Sequence, residues 1–401
     1  KDASRYTRGH LSRDAVRALY GGAVTLSASR MDMARSCHFA YFMRYGLKAR
    51  ERTGAGFDAP QIGTFVHDVM EHTLRQAKEC GGLHTLSKDK LRALVRASIK
   101  EYIDRVLPDL SEKSARFRYL FNRLCAAVER IMDEVSEELQ SSDFEPLAFE
   151  LEFGADGQLP AITIREENGT ARVVGKVDRV DGWLHDGKLY LRVVDYKTGK
   201  KSFDLAELRY GLGLQMLLYL FTLKEEGQML FGGHEIVPAG VLYTPAREPM
   251  LRCARDTEPE KIEKALKKEL RRSGMVLEDP AVLQAMEHSA LESPCYLPIA
   301  VKKDGAVTGS LASAEQLGKL SKYVDHILHE ITQEVFAGNI DADPYARTPQ
   351  QSACTYCEFA SACHFENGCD SDRMEYIKAT KNDEFWQYID EVNGEGAHEN
   401  G

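Results

Sequence analysis

The sequence predicts an α/β fold: a mixed sheet flanked by helices, with helical insertions and a cysteine-rich C-terminal clasp. Three observations predict it. Two apolar runs, Arg172 to Val180 and Leu189 to Val194, flank an Asp186-Gly187 turn and read as a β-hairpin. Segments before and after the hairpin carry apolar residues at helical spacing. Near the C-terminus, Cys354, Cys357 and Cys363 stand as C-x2-C-x5-C, a spacing that gathers thiolates around one centre.

In chain order, residues 1–26 read as a linker or the end of an upstream domain, in a chain that starts at Lys1 and reads as a piece of a longer protein. Residues 27–60 form an arm that carries Cys37 and ends in a Gly/Pro-containing loop. Residues 61–245 form the core with a helical insertion. Its first helix, about 62–79, has apolar positions 62, 65, 66, 69 and 70 on one face and carries His67. Two helices follow, about 88–106 and 112–140, with i, i+4 charge pairing. Strands are expected near 146–153, 170–180, 188–196 and 236–243, with a strongly apolar helix around Leu212 to Thr222 before the last. Residues 246–340 read as a helical extension with helices near 257–273 and 313–337, and 341–401 as the cysteine segment and an acidic tail.

The hairpin carries chemistry. It delivers Asp178 and Asp195, with Lys197 two residues on, as D-x16-D-x-K. Residues i and i+2 of a strand share a face, so Asp195 and Lys197 project together and Tyr196 turns away. Two carboxylates hold a hard divalent cation such as Mg²⁺, and a lysine beside it orients and stabilises an attacking hydroxide. A solvated hairpin with surface charges explains the same spacing. Glu150 and Glu152 alternate outward on the strand before Asp178; they either support the site or line an exposed strand face.

The three clustered cysteines need a fourth ligand. Cys369 is near in sequence and Cys37 is far. Zinc and iron–sulfur both suit four thiolates. Cys80, Cys125, Cys253 and Cys295 are isolated and read as small buried apolar residues.

The D-x16-D-x-K set resembles the PD-(D/E)xK nuclease superfamily. The segment Gly63-x3-His67-x3-Glu71 resembles the RecB-type branch, which implies His67 as a further metal ligand. Gln215-x3-Tyr219 resembles the Q-x-x-x-Y helix of these nucleases, which lies near DNA and the active site. Ser27-x-Ser29-x7-Cys37-x-Phe39-x2-Phe42, paired with the downstream C-x2-C-x5-C, resembles AddB-type nuclease domains. That resemblance implies a 4Fe-4S cluster on Cys37, Cys354, Cys357 and Cys363. His38 stands where the family usually has proline, and Cys369 competes with Cys37.

The resemblance further implies Mg²⁺ on Asp178, Asp195, His67 and the Tyr196 carbonyl, with Lys197 positioning water. Gln215 and Tyr219 complete the catalytic set. The expected role is the nuclease domain of a bacterial helicase–nuclease that resects double-strand breaks. It would take a single DNA strand fed from a duplex end, with an AddA-type helicase–nuclease subunit as partner, in the cytoplasm and away from membranes. A free-standing Cas4-like iron–sulfur exonuclease and a non-catalytic DNA-end-binding module are the alternatives.

Composition narrows the classes. The net charge of −10, from 52 basic and 62 acidic residues, is not the global signature of a nucleic-acid binder. Metal-binding carboxylates and the tail from Asp383 onward contribute to it. Basic stretches are local: Arg192, Lys197, Lys200 and Lys201 near the motif, and Lys261, Lys264, Lys267, Lys268, Arg271 and Arg272 on a helix. Thr198-Gly-Lys-Lys-Ser202 lacks the first glycine of a phosphate loop, so the chain is not expected to be an ATPase. No apolar run reaches membrane-spanning length, and no signal peptide is expected.

Overall fold

A computed structural model of the protein describes residues 8–50 and 59–399, apart from Lys200, Met250, Arg255 and Asp370. The loop expected just before residue 60 and the basic Lys200 therefore lie outside the described residues.

The hairpin forms where the turn residues direct it. Asp186 and Gly187 both adopt positive φ, 49° and 78°, the geometry that two-residue turns need to match strand twist. Strand Gly175–His185 then pairs antiparallel with Lys188–Lys197, from His185 opposite Lys188 to Arg179 opposite Val194. The chain leaves Lys197 through the short helix Leu205–Arg209 and the helix Gln215–Glu226. It returns as Glu235–Pro245, parallel to Lys188–Lys197. Glu145–Phe153 adds on one side. Ser273–Leu277 and Leu311–Ala312 add on the other, completing a six-stranded mixed sheet.

Both faces of this sheet are covered. Leu191 through Tyr196 are all buried, so the strand reads as a continuous run rather than an alternating one. Met216 through Leu223 are buried around the whole circumference of the glutamine helix, which explains its uniformly apolar sequence. The histidine helix, Ala59–Glu79, packs with fully buried Phe65, Val66, Val69 and Met70. Helices Lys88–Val106 and Ala115–Gln140 form the insertion. Among the described residues, no helix is long and apolar enough to cross a membrane.

Several elements differ from the sequence-based expectation. The predicted strand 170–180 is two strands. Gly169–Val173 joins Ala23–Leu26 and Ile162–Glu166 in a separate three-stranded sheet, and Val174 donates its N–H to Leu26. Gly175 then restarts in the large sheet, where a Cβ would stand 2.5 Å from the Tyr219 ring and 2.6 Å from Phe153. Within the first 26 residues, Arg13–Tyr20 is a helix and Ala23–Leu26 a strand. The basic helix stops at Glu269, and Met275, Val276 and Leu277 are buried in a strand paired with Glu235–Pro245. Tertiary pairing there overrides local propensity. The acidic tail forms helix Asn382–Glu399, with Phe385, Trp386 and Ile389 buried and Asp390 paired to Lys319 at 2.9 Å. Cys80, Cys253 and Cys295 are exposed rather than buried, whereas Cys125 is half-buried against the core.

One charged cluster is fully buried. Arg179, Asp181 and Arg192 have no exposed surface, and Glu138 and Arg272 almost none. Asp181 Oδ2 accepts from Arg179 at 3.0 Å and from Arg192 at 2.9 Å. Glu138 Oε2 accepts twice from Arg272, at 3.1 and 2.6 Å, and its Oε1 lies 3.6 Å from Arg192. Arg192 and Arg272, read from sequence as local basic surface, are thus interior; a guanidinium in the core is tolerated only when carboxylates meet it. Burial alone would raise the Glu138 carboxyl, but Arg272 and then Arg192 outweigh it and bring it down to about 2.

Because the folded-state value lies below the ordinary one of 4.5, this stabilisation is present above that value and is lost as pH falls toward about 2. Glu138→Gln is expected to cost about 3–5 kcal/mol at neutral pH, since it leaves buried arginines uncompensated. Chemical denaturation across pH should show the gap between wild type and variant narrowing in acid. A pH-independent gap would mean that the carboxylate charge is not what matters.

Candidate active site

The ends of the hairpin strands and the histidine helix converge on one peptide group. Tyr196 N–H donates to Asp178 Oδ2 at 2.8 Å, and the Tyr196 carbonyl lies 2.9 Å from His67 Nε2. The other imidazole nitrogen, Nδ1, lies 3.3 Å from Asp178 Oδ1. Asp195, 3% exposed, enters from the adjacent strand. Lys197 Nζ stands 2.6 Å from Asp195 Oδ2, a buried oxygen, as an ion pair. The Lys197 ammonium also sits 5.7 Å from the centre of the Tyr243 ring.

Negative charge is crowded here. Burial, followed by the neighbouring charge of Asp178, holds the Asp195 carboxyl well above the usual carboxylate range, against the pull of Lys197. For His67, burial disfavours the charged ring, but the hydrogen bond and charge of Asp178 outweigh it and push it up to about 9. An imidazole nitrogen, the oxygens of two carboxylates and a peptide carbonyl form the donor set of a hard divalent cation.

The structure adds Glu150 to this group. One ligand atom each from His67, Glu150 and Asp178 lie within 4.8 Å of one another. Glu150 takes φ of 50°, which redirects it within its strand, and it pairs with Lys176. Its neighbour Glu152 stays exposed, 3.6 Å from the same lysine. Simple alternation put the two glutamates on an equal footing. Nothing local marks a left-handed backbone at a non-glycine residue. Glu71 is held by Arg75 at 2.8 Å, and Arg75 also donates to the Phe149 carbonyl at 2.8 Å beside Glu150.

Gln215 and Tyr219 share a helix face, and Gln215 Nε2 donates to the Tyr219 hydroxyl at 3.1 Å. Tyr219 packs edge-on to Phe153 with ring centres 5.1 Å apart, over Gly175 at the root of the Asp178 strand. The pair flanks the strand rather than the carboxylates themselves. Of the basic residues expected around the motif, Lys197 reaches the site, Lys201 lies 3.8 Å from Glu207, and Arg192 is interior.

A second cluster lies apart. Cys37, Cys354, Cys357 and Cys363 line one cavity of about 620 Å³, together with Phe39 and Phe359. Cys369 is exposed and outside that lining. The arm reaches this place through Asp32, which accepts from Gly213 N–H at 2.9 Å, and through Phe39 N–H, which donates to the Asp341 carbonyl at 2.8 Å. His38 adds a polar clamp, with Nδ1 2.5 Å from Asp343 and Nε2 3.2 Å from Glu334. Burial pushes the Cys37 thiol up to about 12. Four sulfur donors around one cavity suit a thiophilic metal or an iron–sulfur cluster.

A mixed sheet that brings two aspartates and a lysine to its rim, under a helix bearing a histidine, defines a metal-dependent nuclease core. The chain belongs to the PD-(D/E)XK nuclease superfamily, whose profile matches residues 25–364. It is similar to a subunit of the ATP-dependent helicase/deoxyribonuclease in three bacteria. Identity is 31% over 386 residues for Thermoanaerobacter sp. (strain X514), covering 95% of this chain and 33% of the relative. For Acetivibrio thermocellus it is 33% over 383 residues, covering 94% and 33%. For Caldanaerobacter subterraneus subsp. tengcongensis it is 32% over 391 residues, covering 96% and 33%. The chain thus spans about a third of the length of these relatives.

Glu150→Gln is expected to weaken Mn²⁺ binding by about tenfold, the usual scale for a group that supports or joins a metal site. Titration followed by electron paramagnetic resonance measures it. An unchanged affinity would leave Glu150 only its pairing with Lys176.

Proposed function

We propose that this chain is the nuclease domain of a bacterial helicase–nuclease complex that resects double-strand breaks for recombinational repair. It acts as a Mg²⁺-dependent deoxyribonuclease on a single strand fed from a duplex end. The observation that carries this reading is the meeting of His67, Asp178, Asp195, Lys197 and the Tyr196 carbonyl at one strand end. Similarity to the helicase/deoxyribonuclease relatives over almost the whole chain supports it. The motor and an AddA-type partner would be supplied by the rest of such an assembly.

In this reading Asp178, Asp195, His67 and the Tyr196 carbonyl hold the cation, with Glu150 beside them. The bound cation supplies Lewis-acid stabilisation of the scissile phosphate and acidifies water. Lys197 orients the attacking water, whose oxygen bonds to phosphorus as the bond to the leaving sugar oxygen breaks. Its ammonium also offsets charge developing on the phosphate. Asp195 keeps that ammonium in place across 2.6 Å. Gln215 and Tyr219 hold the root of the Asp178 strand and take the DNA side of the site. Cys37, Cys354, Cys357 and Cys363 hold a 4Fe-4S cluster, which cross-links the arm to the C-terminal segment.

Lys197→Ala should reduce cleavage of a labelled oligonucleotide by about 10²–10³-fold, the range for losing one transition-state charge partner. Melting temperature and DNA affinity should stay near wild type. Full activity in this variant would reject the assignment of the site.

Cys37→Ser should lose iron and become sensitive to limited proteolysis, while Cys369→Ser keeps both iron and resistance. Stoichiometric zinc in anaerobically purified protein would remove the iron–sulfur assignment. Loss of iron in Cys369→Ser alone would place the cluster wholly within the C-terminal segment.

A further inference from the structure

The residue between Asp195 and Lys197 has a side chain that the site chemistry does not use. Tyr196 points to the opposite face of the strand, is 4% exposed, and meets Arg179 there: Arg179 NH1 donates to its hydroxyl at 2.7 Å. Arg179 in turn directly follows Asp178 in its own strand. Each of the two site strands therefore presents a carboxylate in front and a member of the buried charged cluster behind.

Stability alone gives no reason to keep that cluster. Replacing buried ion groups by apolar residues of similar volume is often neutral or stabilising, because the desolvation of each charge offsets most of the attraction. Here three guanidinium groups, Arg179, Arg192 and Arg272, face two carboxylates, Asp181 and Glu138, so the cluster holds one positive charge in excess. Among the described residues Arg192 NH1 has no hydrogen-bond partner, although the guanidinium lies 5.1 Å from the centre of the Phe144 ring. What the cluster does supply is rigidity with direction. Asp181 takes both Arg179 and Arg192, and Glu138 takes Arg272 from the start of the Ser273–Leu277 strand. Arg179, held by Asp181 on one side of its fork, turns NH1 to the Tyr196 hydroxyl.

The consequence falls on the peptide of Tyr196. Its N–H holds Asp178 and its carbonyl faces His67, so a small rotation of this residue would misplace two groups of the site at once. We propose that Arg179 is a positioning residue for the metal site, acting through the Tyr196 hydroxyl to aim the backbone of Tyr196. The inference rests on the proposed function and adds to it a role for the middle residue of the D-x-K motif. The charged cluster behind the sheet serves as the anchor, and the metal affinity in front reports whether the anchor holds.

The test uses the full chain and Mn²⁺ itself as probe. Tyr196→Phe keeps the ring and its packing and removes only the acceptor of Arg179. Electron paramagnetic resonance titration should show Mn²⁺ affinity reduced by about tenfold or more, the scale of losses behind a metal site. The Mg²⁺ concentration for half-maximal cleavage should rise in parallel, the rate at saturating Mg²⁺ should recover, and KM for DNA should not move. Arg179→Lys, which retains charge without the planar fork, should show the same split if it folds; Tyr196→Phe decides the matter if it does not. Unchanged Mn²⁺ affinity in Tyr196→Phe, with a lowered melting temperature, would overturn the proposal and make the hydroxyl contact purely structural. In that outcome the active-site reading stands. A wild-type chain that binds no Mn²⁺ would instead overturn both.

Discussion

Everything at the candidate site depends on the register of one hairpin. Asp178 and Asp195 lie on adjacent antiparallel strands aligned by Arg179 opposite Val194. Side chains alternate between faces with every residue, so a slip of one position would send Asp195 to the back of the sheet and Tyr196 to the front. The two-residue Asp186-Gly187 turn excludes that slip, and the parallel return strand fixes the same alignment by setting Asp195 opposite Tyr243. The bond from Tyr196 N–H to Asp178 then joins the two strands at the point where chemistry is needed.

That register sorts charge across a single layer of backbone. The front gathers Asp178, Asp195 and Glu150, opposed by His67 and Lys197. The back gathers three arginines against two carboxylates. Each side would be costly alone in a dry interior. Carboxylates in front are poised for a cation, and the arginines behind are committed to fixing the strands. The tyrosine between them touches both sides, through its peptide and its hydroxyl.

Much of this was legible in the sequence because it is local. Alternation places Asp195 with Lys197, a two-residue turn makes the hairpin, and apolar spacing shows the helix that carries His67. The structure brings Asp195, Lys197 and His67 together with Asp178. Long-range facts were not legible. Arg192 reads as basic surface until Glu138, far upstream on the insertion helix, is seen to reach it. The strand Ser273–Leu277 follows a basic helix closely enough to be read as part of it, and only pairing with Glu235–Pro245 reveals it. Glu150 is singled out by a backbone conformation that no residue type at that position announces. The cysteines fall between these cases: their spacing marks three, while Cys37 joins them only through the docking of the arm.

The strand that carries Glu150 is also the border of the large sheet. Its pairing shifts register between Pro146 and Ala148, and its backbone turns left-handed at Glu150. Proline, a bulge and an inward carboxylate are the devices that keep a sheet edge from recruiting another strand. The opposite border is the two-residue Leu311–Ala312, too short to template one. The core is therefore closed to growth by strand addition from either side. A neighbouring protein would meet helices and loops rather than a sheet edge.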